Sequence, residues 1–135
     1  MKLWKKTYLI GLTWLALVSG FAQHALATHI SQPIVENSQK QYSVGENITV
    51  QGWVEYQEKP AADVLLNFKL QRADGHVIVD QSYLSDEQGR FEFKFDTKRE
   101  TPGTYQLTIT SHCLETHRYA CTYKNTTVSI QLTKP

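Results

Sequence analysis

The chain has 135 residues, 41% of them hydrophobic, and its 14 basic residues nearly balance its 13 acidic ones. This length and apolar content suffice for one domain with a modest hydrophobic core. A near-neutral chain lacks the positive charge that drives binding to nucleic acid or to an anionic membrane surface, so we expect neither partner.

The first 27 residues have the pattern of a secretory signal peptide. Three lysines among the first six residues precede an apolar run from Tyr8 to Phe21, and the segment ends in Ala25-Leu26-Ala27, the small-x-small sequence that signal peptidase cleaves. Cleavage between Ala27 and Thr28 removes these three lysines and leaves 108 residues with 11 basic and 13 acidic side chains, a net charge of −2. We therefore expect a secreted or periplasmic protein of one domain, residues 28–135, with no membrane attachment after processing.

The rest of the chain alternates apolar and polar residues with a period of two, which predicts an all-β domain. An edge strand is predicted near Ile30–Val35. A long strand follows from Asn47 to Gln57, in which Gly52 marks a bulge or a close approach of another segment. Residues 64–72 and 77–84 form the next two strands, joined at Asp74-Gly75, a dipeptide that favours a two-residue hairpin turn.

The second half of the domain continues the alternation. The strand around Phe93 has three phenylalanines on one face and charged residues on the other, and the strand around Leu107 repeats the pattern. Residues 119–132 close the domain, with a change of parity that predicts a bulge or irregularity near Asn125-Thr126. About seven strands at spacings of about 8 to 12 residues are typical of an antiparallel β-sandwich. The predicted core consists of Val50, Val54, Leu66, Phe68, Phe91, Phe93, Phe95, Tyr105, Leu107 and Ile109.

Several segments of this series resemble a known family. They are Tyr42–Val50, Pro60 before Val64–Leu66, Asp74-Gly75, Ser85–Phe93 and Thr101–Leu107. Over about residues 42–110 the chain is similar to the immunoglobulin-like (Ig-like) domains of the macroglobulin type and of bacterial surface and periplasmic proteins. The resemblance implies an Ig-like β-sandwich that serves as a structural or binding module. It does not extend to protease trapping, because the chain has no Gly-Cys-Gly-Glu-Gln thioester segment and no bait region.

The segment from His112 to Cys121 concentrates two cysteines and two histidines within ten residues. Two thiolates and two imidazoles are a ligand set for zinc or copper. We place Cys113 at the end of one strand and Cys121 at the start of the next, facing each other at the mouth of a hairpin, where an oxidising compartment favours a disulfide. We predict this disulfide and no cofactor. A small periplasmic metal-binding protein that uses His112 and His117 of the hairpin is the alternative.

No catalytic motif is recognisable, because the chain has no Gly-x-Ser-x-Gly elbow, His-Glu-x-x-His pair or phosphate loop. We expect a non-enzymatic module that binds a protein or an envelope component through a sheet edge or loops, with an exported enzyme of unfamiliar type as a further alternative. The alternation places Trp53 on the outer face of its strand, where it is a candidate binding anchor. The alternative is that Gly52 turns Trp53 into the core, which is the commoner arrangement in Ig-like sandwiches. The glycosylation sequons at Asn47 and Asn125 matter only in a eukaryotic source.

We predict that the exported protein begins at Thr28, because the Ala-Leu-Ala ending follows an apolar run too short for a comfortable membrane span. Amino-terminal sequencing of the protein recovered from the exported fraction checks this. Recovery of a membrane-bound form that retains Met1 would show instead that the segment is an anchor.

Overall fold

The computed structural model describes residues 29–117 and 120–135. The predicted signal peptide and its cleavage site between Ala27 and Thr28 lie outside the described residues. The ten strands in this part of the chain are β1 (His29–Ser38), β2 (Gln41–Ser43), β3 (Asn47–Tyr56), β4 (Lys59–Pro60), β5 (Leu65–Arg72), β6 (Val77–Leu84), β7 (Arg90–Asp96), β8 (Gly103–Ser111), β9 (Cys121–Tyr123) and β10 (Asn125–Thr133). A short 3₁₀ helix, Glu115–His117, lies between β8 and β9. Across these described ranges, no helix is long and apolar enough to cross a membrane.

The strands form two five-stranded sheets. In sheet A, β1 lies between β3 and β9, and the other edge of β3 pairs with β7 and, near its end, with β4. Sheet B has the order β2-β10-β8-β5-β6. The pairings are antiparallel except for the short pairs β1–β9 and β2–β10, which are parallel. This two-sheet arrangement confirms the predicted Ig-like β-sandwich, and its seven longer strands agree with the predicted number.

The core lies between the sheets and is rich in aromatic rings. Phe68 of sheet B stacks against Phe93 of sheet A, with ring centroids 5.5 Å apart, and lies 5.6 Å from Phe91 in a tilted arrangement. Nine of the ten predicted core residues are buried; the exception is Phe95, which is only partly buried because it lies at the open flank of the sandwich beside Ile78. The core also includes Tyr42, Ile48, Tyr56, Val64, Leu70, Ile130 and Leu132.

Tyr105 forms a contact that is typical of Ig-like sandwiches. It lies near the start of β8, and its hydroxyl donates a hydrogen bond of 2.6 Å to the carbonyl oxygen of Thr101, four residues upstream. Such a tyrosine corner fixes the loop that enters the strand. The ring of Tyr105 therefore packs in the core, and its hydroxyl holds the loop that leads into β8.

Gly52 marks a close approach, as predicted. A Cβ atom at this position would overlap the carbonyl oxygen of Ile34 and lie 2.7 Å from the ring of Phe91. The irregularity is in the neighbouring strand, since the register of β1 on β3 shifts between Val35 and Asn37. The prediction that β1 is an edge strand is correct in part: β9 pairs with its other side only at His29–Ser31, and no strand in the described part of the chain pairs with that side of the rest of β1.

The β5–β6 hairpin also differs in detail from the sequence prediction. The amide of Gly75 donates to the carbonyl of Arg72, and the amide of Arg72 donates to the carbonyl of His76, so the loop contains three residues rather than two. Gly75 supplies the positive φ of 89° that this loop requires. An extra residue in β6, Ile78, then shifts the register between the two strands.

We expect Phe93→Ala to lower the free energy of unfolding by about 3 to 5 kcal/mol, because it removes a fully buried ring and leaves a cavity between the sheets. Urea unfolding of the two proteins measures the loss. Lys94→Ala, on the exposed face of the same strand, is the control and should change stability by about 0.5 kcal/mol or less. A loss below about 1 kcal/mol for Phe93→Ala would contradict the assignment of this face to the core.

Candidate functional site

One end of the sandwich is built by a double crossing of the chain between the sheets. After β8 the chain leaves sheet B, forms β9 in sheet A, and returns at Lys124 to start β10 in sheet B. The amide of Lys124 donates to the carbonyl of Ser31 in sheet A, and its carbonyl accepts from the amide of Ser111 in sheet B. The irregularity predicted near Asn125-Thr126 is this change of sheet, one residue earlier, and β10 then pairs with β8 without a register shift.

The predicted disulfide between Cys113 and Cys121 is present, with the two Cα atoms 6.0 Å apart. The predicted hairpin is not present. β8 and β9 lie in different sheets, so the segment between them is a crossover loop that the disulfide closes. The hairpin interpretation failed because alternation along each strand shows which face is buried but not which sheet the strand joins.

His112 begins this loop and lies beside an exposed aromatic ring. Its amide donates to the carbonyl of Leu65 at 2.8 Å, which fixes it beside the start of β5. Its ring stacks with the ring of Tyr123, with centroids 5.5 Å apart. Nothing in the alternating pattern predicts this pair, because His112 follows β8 of sheet B and Tyr123 lies in β9 of sheet A.

These residues line a groove of about 500 Å³ beside the disulfide. We call it the disulfide groove; it is bounded by Leu65, Leu84, His112, Leu114, Tyr123 and the Cys113–Cys121 bond, with the exposed acidic residues Asp63 and Glu115. The exposed fractions are 41% for Leu65, 55% for Leu84 and 58% for Tyr123. In the described part of the chain only two other large apolar side chains, Ile30 and Val77, are exposed to a similar extent. The exposed apolar surface is therefore concentrated at this groove.

His117, the other predicted ligand, belongs to a different cluster. Its ring stacks on that of His29 with centroids 4.0 Å apart, and its Nδ1 atom is 2.8 Å from the hydroxyl oxygen of Tyr56. Burial raises the pKa of the Tyr56 hydroxyl, and a hydrogen bond with the backbone of Leu114 partly opposes this effect. These contacts fasten the crossover loop to sheet A. Sequence analysis did not identify His29 or Tyr56 as part of this end.

The arrangement leaves few of the predicted ligand side chains placed to bind a metal ion together. Both sulfur atoms are in the disulfide, and His112 and His117 stack on different aromatic partners. Within residues 29–117 and 120–135, no group of three or more histidine, cysteine, aspartate or glutamate side chains is placed to hold a metal ion.

Trp53 lies away from the groove, on the outer face of sheet A. It is half-buried, and its neighbours across the strands are Ile34 of β1 and Arg90 of β7. Arg90 forms a 2.6 Å ion pair with Glu36 on this face. Gly52 therefore does not turn Trp53 into the core, and its role as a binding anchor remains a prediction.

Tyr83 covers one part of the flank between β6 and β7. Its ring stacks on Phe68 with centroids 4.5 Å apart, and its hydroxyl donates a 2.5 Å hydrogen bond to the backbone carbonyl of Glu92. Burial, and secondarily the charge of Glu92, raises the pKa of this hydroxyl to about 12. The hydroxyl is therefore protonated near neutral pH and acts as a donor to the edge of β7.

No protein-family model matches the chain, and no curated protein does so either. Among solved structures, it is similar to a β-glucosidase from Listeria innocua in complex with isofagomine, with a TM-score of 0.51 and 10% identity, over 76% of this chain and 16% of the enzyme. It is also similar to the CARDB domain of the PF1109 protein from Pyrococcus furiosus, with a TM-score of 0.47 and 8% identity, over 81% and 92% of the two chains. Titin domain M7 gives a TM-score of 0.40 and 16% identity, over 78% and 95%. At 10% identity the likeness to part of the β-glucosidase shows a shared fold alone. None of these likenesses specifies the macroglobulin type.

Reduction of the Cys113–Cys121 bond should lower the free energy of unfolding by about 2 to 3 kcal/mol, because it releases a constraint on the unfolded chain. Urea unfolding with and without reductant measures this, and intact mass should rise by two hydrogens on reduction. The double variant Cys113→Ser, Cys121→Ser should show the lower stability without reductant. Free thiols in protein isolated from the exported compartment would contradict the prediction.

Proposed function

We propose that this protein is an exported, non-enzymatic Ig-like module that binds a protein or an envelope component through the disulfide groove. Export is supported by the signal-like amino terminus and by the disulfide, which is typical of oxidising compartments. The absence of recognisable catalytic motifs in the sequence supports a binding role.

The observation that carries the proposal is the clustering of exposed apolar side chains. Leu65, Leu84 and Tyr123 come from three strands in two sheets, and the fold brings them to one groove. A contiguous apolar patch with a polar rim is typical of an interaction site, whereas apolar residues scattered singly over a surface need no such explanation. Tyrosine at such a patch provides a large, rigid contact with one polar end.

The walls of the groove are held in place before any partner arrives. The disulfide closes the crossover loop, and the backbone of Lys124 is hydrogen-bonded to both sheets. The stack of His117 on His29 fastens the loop to sheet A. A preformed site loses less conformational entropy on binding than a flexible one. The contacts around the loop therefore favour a binding surface.

The metal-binding alternative has weaker support. The disulfide consumes the two thiolates, and the two remaining histidines have separate aromatic neighbours. A metal carrier needs ligands that converge on one point.

The test is affinity capture of the envelope extract of the source organism with the immobilised mature protein, residues 28–135. We expect saturable binding of a single component that Leu84→Glu weakens at least tenfold, because the substitution places a carboxylate in the apolar groove. Val77→Glu is the matched control, at the other end of the same strand with 40% exposure, and should change binding less than twofold. Equal effects of the two variants, or no saturable binding, would contradict the proposal.

A further inference from the structure

A pocket of about 370 Å³ lies on the outer face of sheet A, where β1 begins and β3 turns into β4. It shares none of the described residues that line the disulfide groove. We call it the sheet A pocket; it is lined by Ile30, Gln32, Glu55, Gln57, Glu58 and Lys124. The pocket therefore combines the apolar side chain of Ile30, 41% exposed, with two carboxylates, two amides and one ammonium group. Its volume is within the usual range of small-molecule sites, about 300 to 1,000 Å³.

The polar side chains of the sheet A pocket lack partners among the described residues. None of the five forms a hydrogen bond or an ion pair there. Other charged side chains on this face do pair, such as Arg90 with Glu36. Glu55 and Gln32 are partly buried and lie opposite each other in register, so two of the polar groups are positioned by the sheet itself. A pocket with positioned and unpaired polar groups is suited to a ligand.

The turn between β3 and β4 adopts a conformation that its residues do not favour. Tyr56 pairs with Lys59, so Gln57 and Glu58 form a two-residue turn, and their φ angles are 51° and 68°. Turns of this kind favour asparagine and glycine, because other side chains tolerate positive φ poorly. Both turn residues line the sheet A pocket, and strained backbone is concentrated at active sites and ligand clamps. The sequence of this turn therefore favours the pocket over the stability of the hairpin.

The charges of the pocket lie on two sides. Glu55 belongs to β3 and Glu58 to the turn that follows it, whereas Lys124 follows β9, and its amide donates to the carbonyl of Ser31 on the other edge of β1. Because neighbouring strands are about 4.8 Å apart, the backbones of Glu55 and Lys124 are separated by about 10 Å. Ile30 belongs to β1, which lies between the two sides. The pocket thus has an acidic side, a basic side and an apolar floor.

We propose that the sheet A pocket binds a free diamino acid, such as lysine or ornithine. In this complex the two ammonium groups of the ligand face Glu55 and Glu58, its carboxylate faces Lys124, and its aliphatic stem lies against Ile30. The choice follows from the charges, because two carboxylates and one ammonium group complement a ligand with two ammonium groups and one carboxylate. This site goes beyond the proposed function and does not depend on what the disulfide groove binds.

Three simpler ligands complement the pocket less well. A diamine leaves Lys124 opposite a like charge, and an amino acid with an apolar side chain leaves one carboxylate without a counterpart. A metal ion lacks ligands, since no group of three or more histidine, cysteine or acidic side chains among the described residues is placed to hold one. The first two differences provide the comparisons for the test.

Isothermal titration calorimetry of the mature protein, residues 28–135, measures the binding of three probes. L-lysine carries both ammonium groups and the carboxylate, cadaverine lacks the carboxylate, and L-norleucine lacks the side-chain ammonium group. We expect saturable binding of lysine with a dissociation constant in the millimolar range or below. The other two probes should bind at least tenfold more weakly, because each leaves one charge of the pocket without its counterpart.

Lys124→Gln separates recognition of the carboxylate from attraction of a cation. It should weaken lysine binding at least tenfold, whereas cadaverine should bind as well or better, because a like charge has been removed. Glu55→Gln should weaken the binding of both ligands at least tenfold. Glu87→Gln, at an exposed position outside the pocket lining, is the control and should change either affinity less than twofold.

The turn provides a further test. The double variant Gln57→Asn, Glu58→Gly suits the positive φ angles, so we expect a higher midpoint of thermal unfolding together with at least tenfold weaker lysine binding. A variant that is more stable but binds lysine less tightly cannot owe its loss of binding to unfolding.

Several results would overturn the proposal. They are no saturable binding of lysine at millimolar concentrations, equal affinities for lysine and cadaverine, or equal effects of Lys124→Gln and Glu87→Gln on lysine binding. The comparison of probes uses the unsubstituted protein, so it does not depend on the folding of any variant. Envelope capture through the disulfide groove is measured separately, and its outcome leaves this test unchanged.

Discussion

The constraint on which this end of the molecule depends is the double crossing between Ser111 and Asn125. A chain that leaves one sheet, adds a strand to the other and returns must satisfy its backbone groups in a region where neither sheet is regular. Lys124 does this through its backbone, with its amide bonded to sheet A and its carbonyl bonded to sheet B. The disulfide and the aromatic contacts of His117 hold the rest of the crossing in place. The groove exists because the crossing spreads the chain across the end of the sandwich instead of closing it as a hairpin.

The two sheets share a core but differ in what they expose. Sheet A presents Trp53 among ion-paired side chains such as Arg90 and Glu36, and its long outer strand β7 is charged. Sheet B ends in β6, whose open edge runs toward the most apolar part of the surface. Both features could have been removed by a few polar or charged substitutions without disturbing the core, since they involve exposed positions. Their coincidence at one place is the main physical argument for a binding role.

The sequence predicted those properties that depend on neighbouring residues. Alternation identified the buried face of β7 and β8, and the compartment inferred from the first 27 residues favoured the disulfide. Properties that depend on distant pairing were not predictable in this way. The contact between Tyr56 and His117 joins residues 61 positions apart, and the crossover loop looked like a hairpin because both cysteines lie next to strands. Phe95 shows the same limit, since its parity is correct but it lies at the flank of the sandwich, beside Ile78 near the start of β6.

The parallel pairing of β2 with β10 has a consequence for how the domain folds. It joins Gln41 to Gln131 across most of the domain, and such distant pairings make folding slow. The hairpin of β5 and β6 is local by comparison. The cysteines are only eight positions apart, so their oxidation does not require a folded chain. The crossover loop can therefore be closed before the sheets meet.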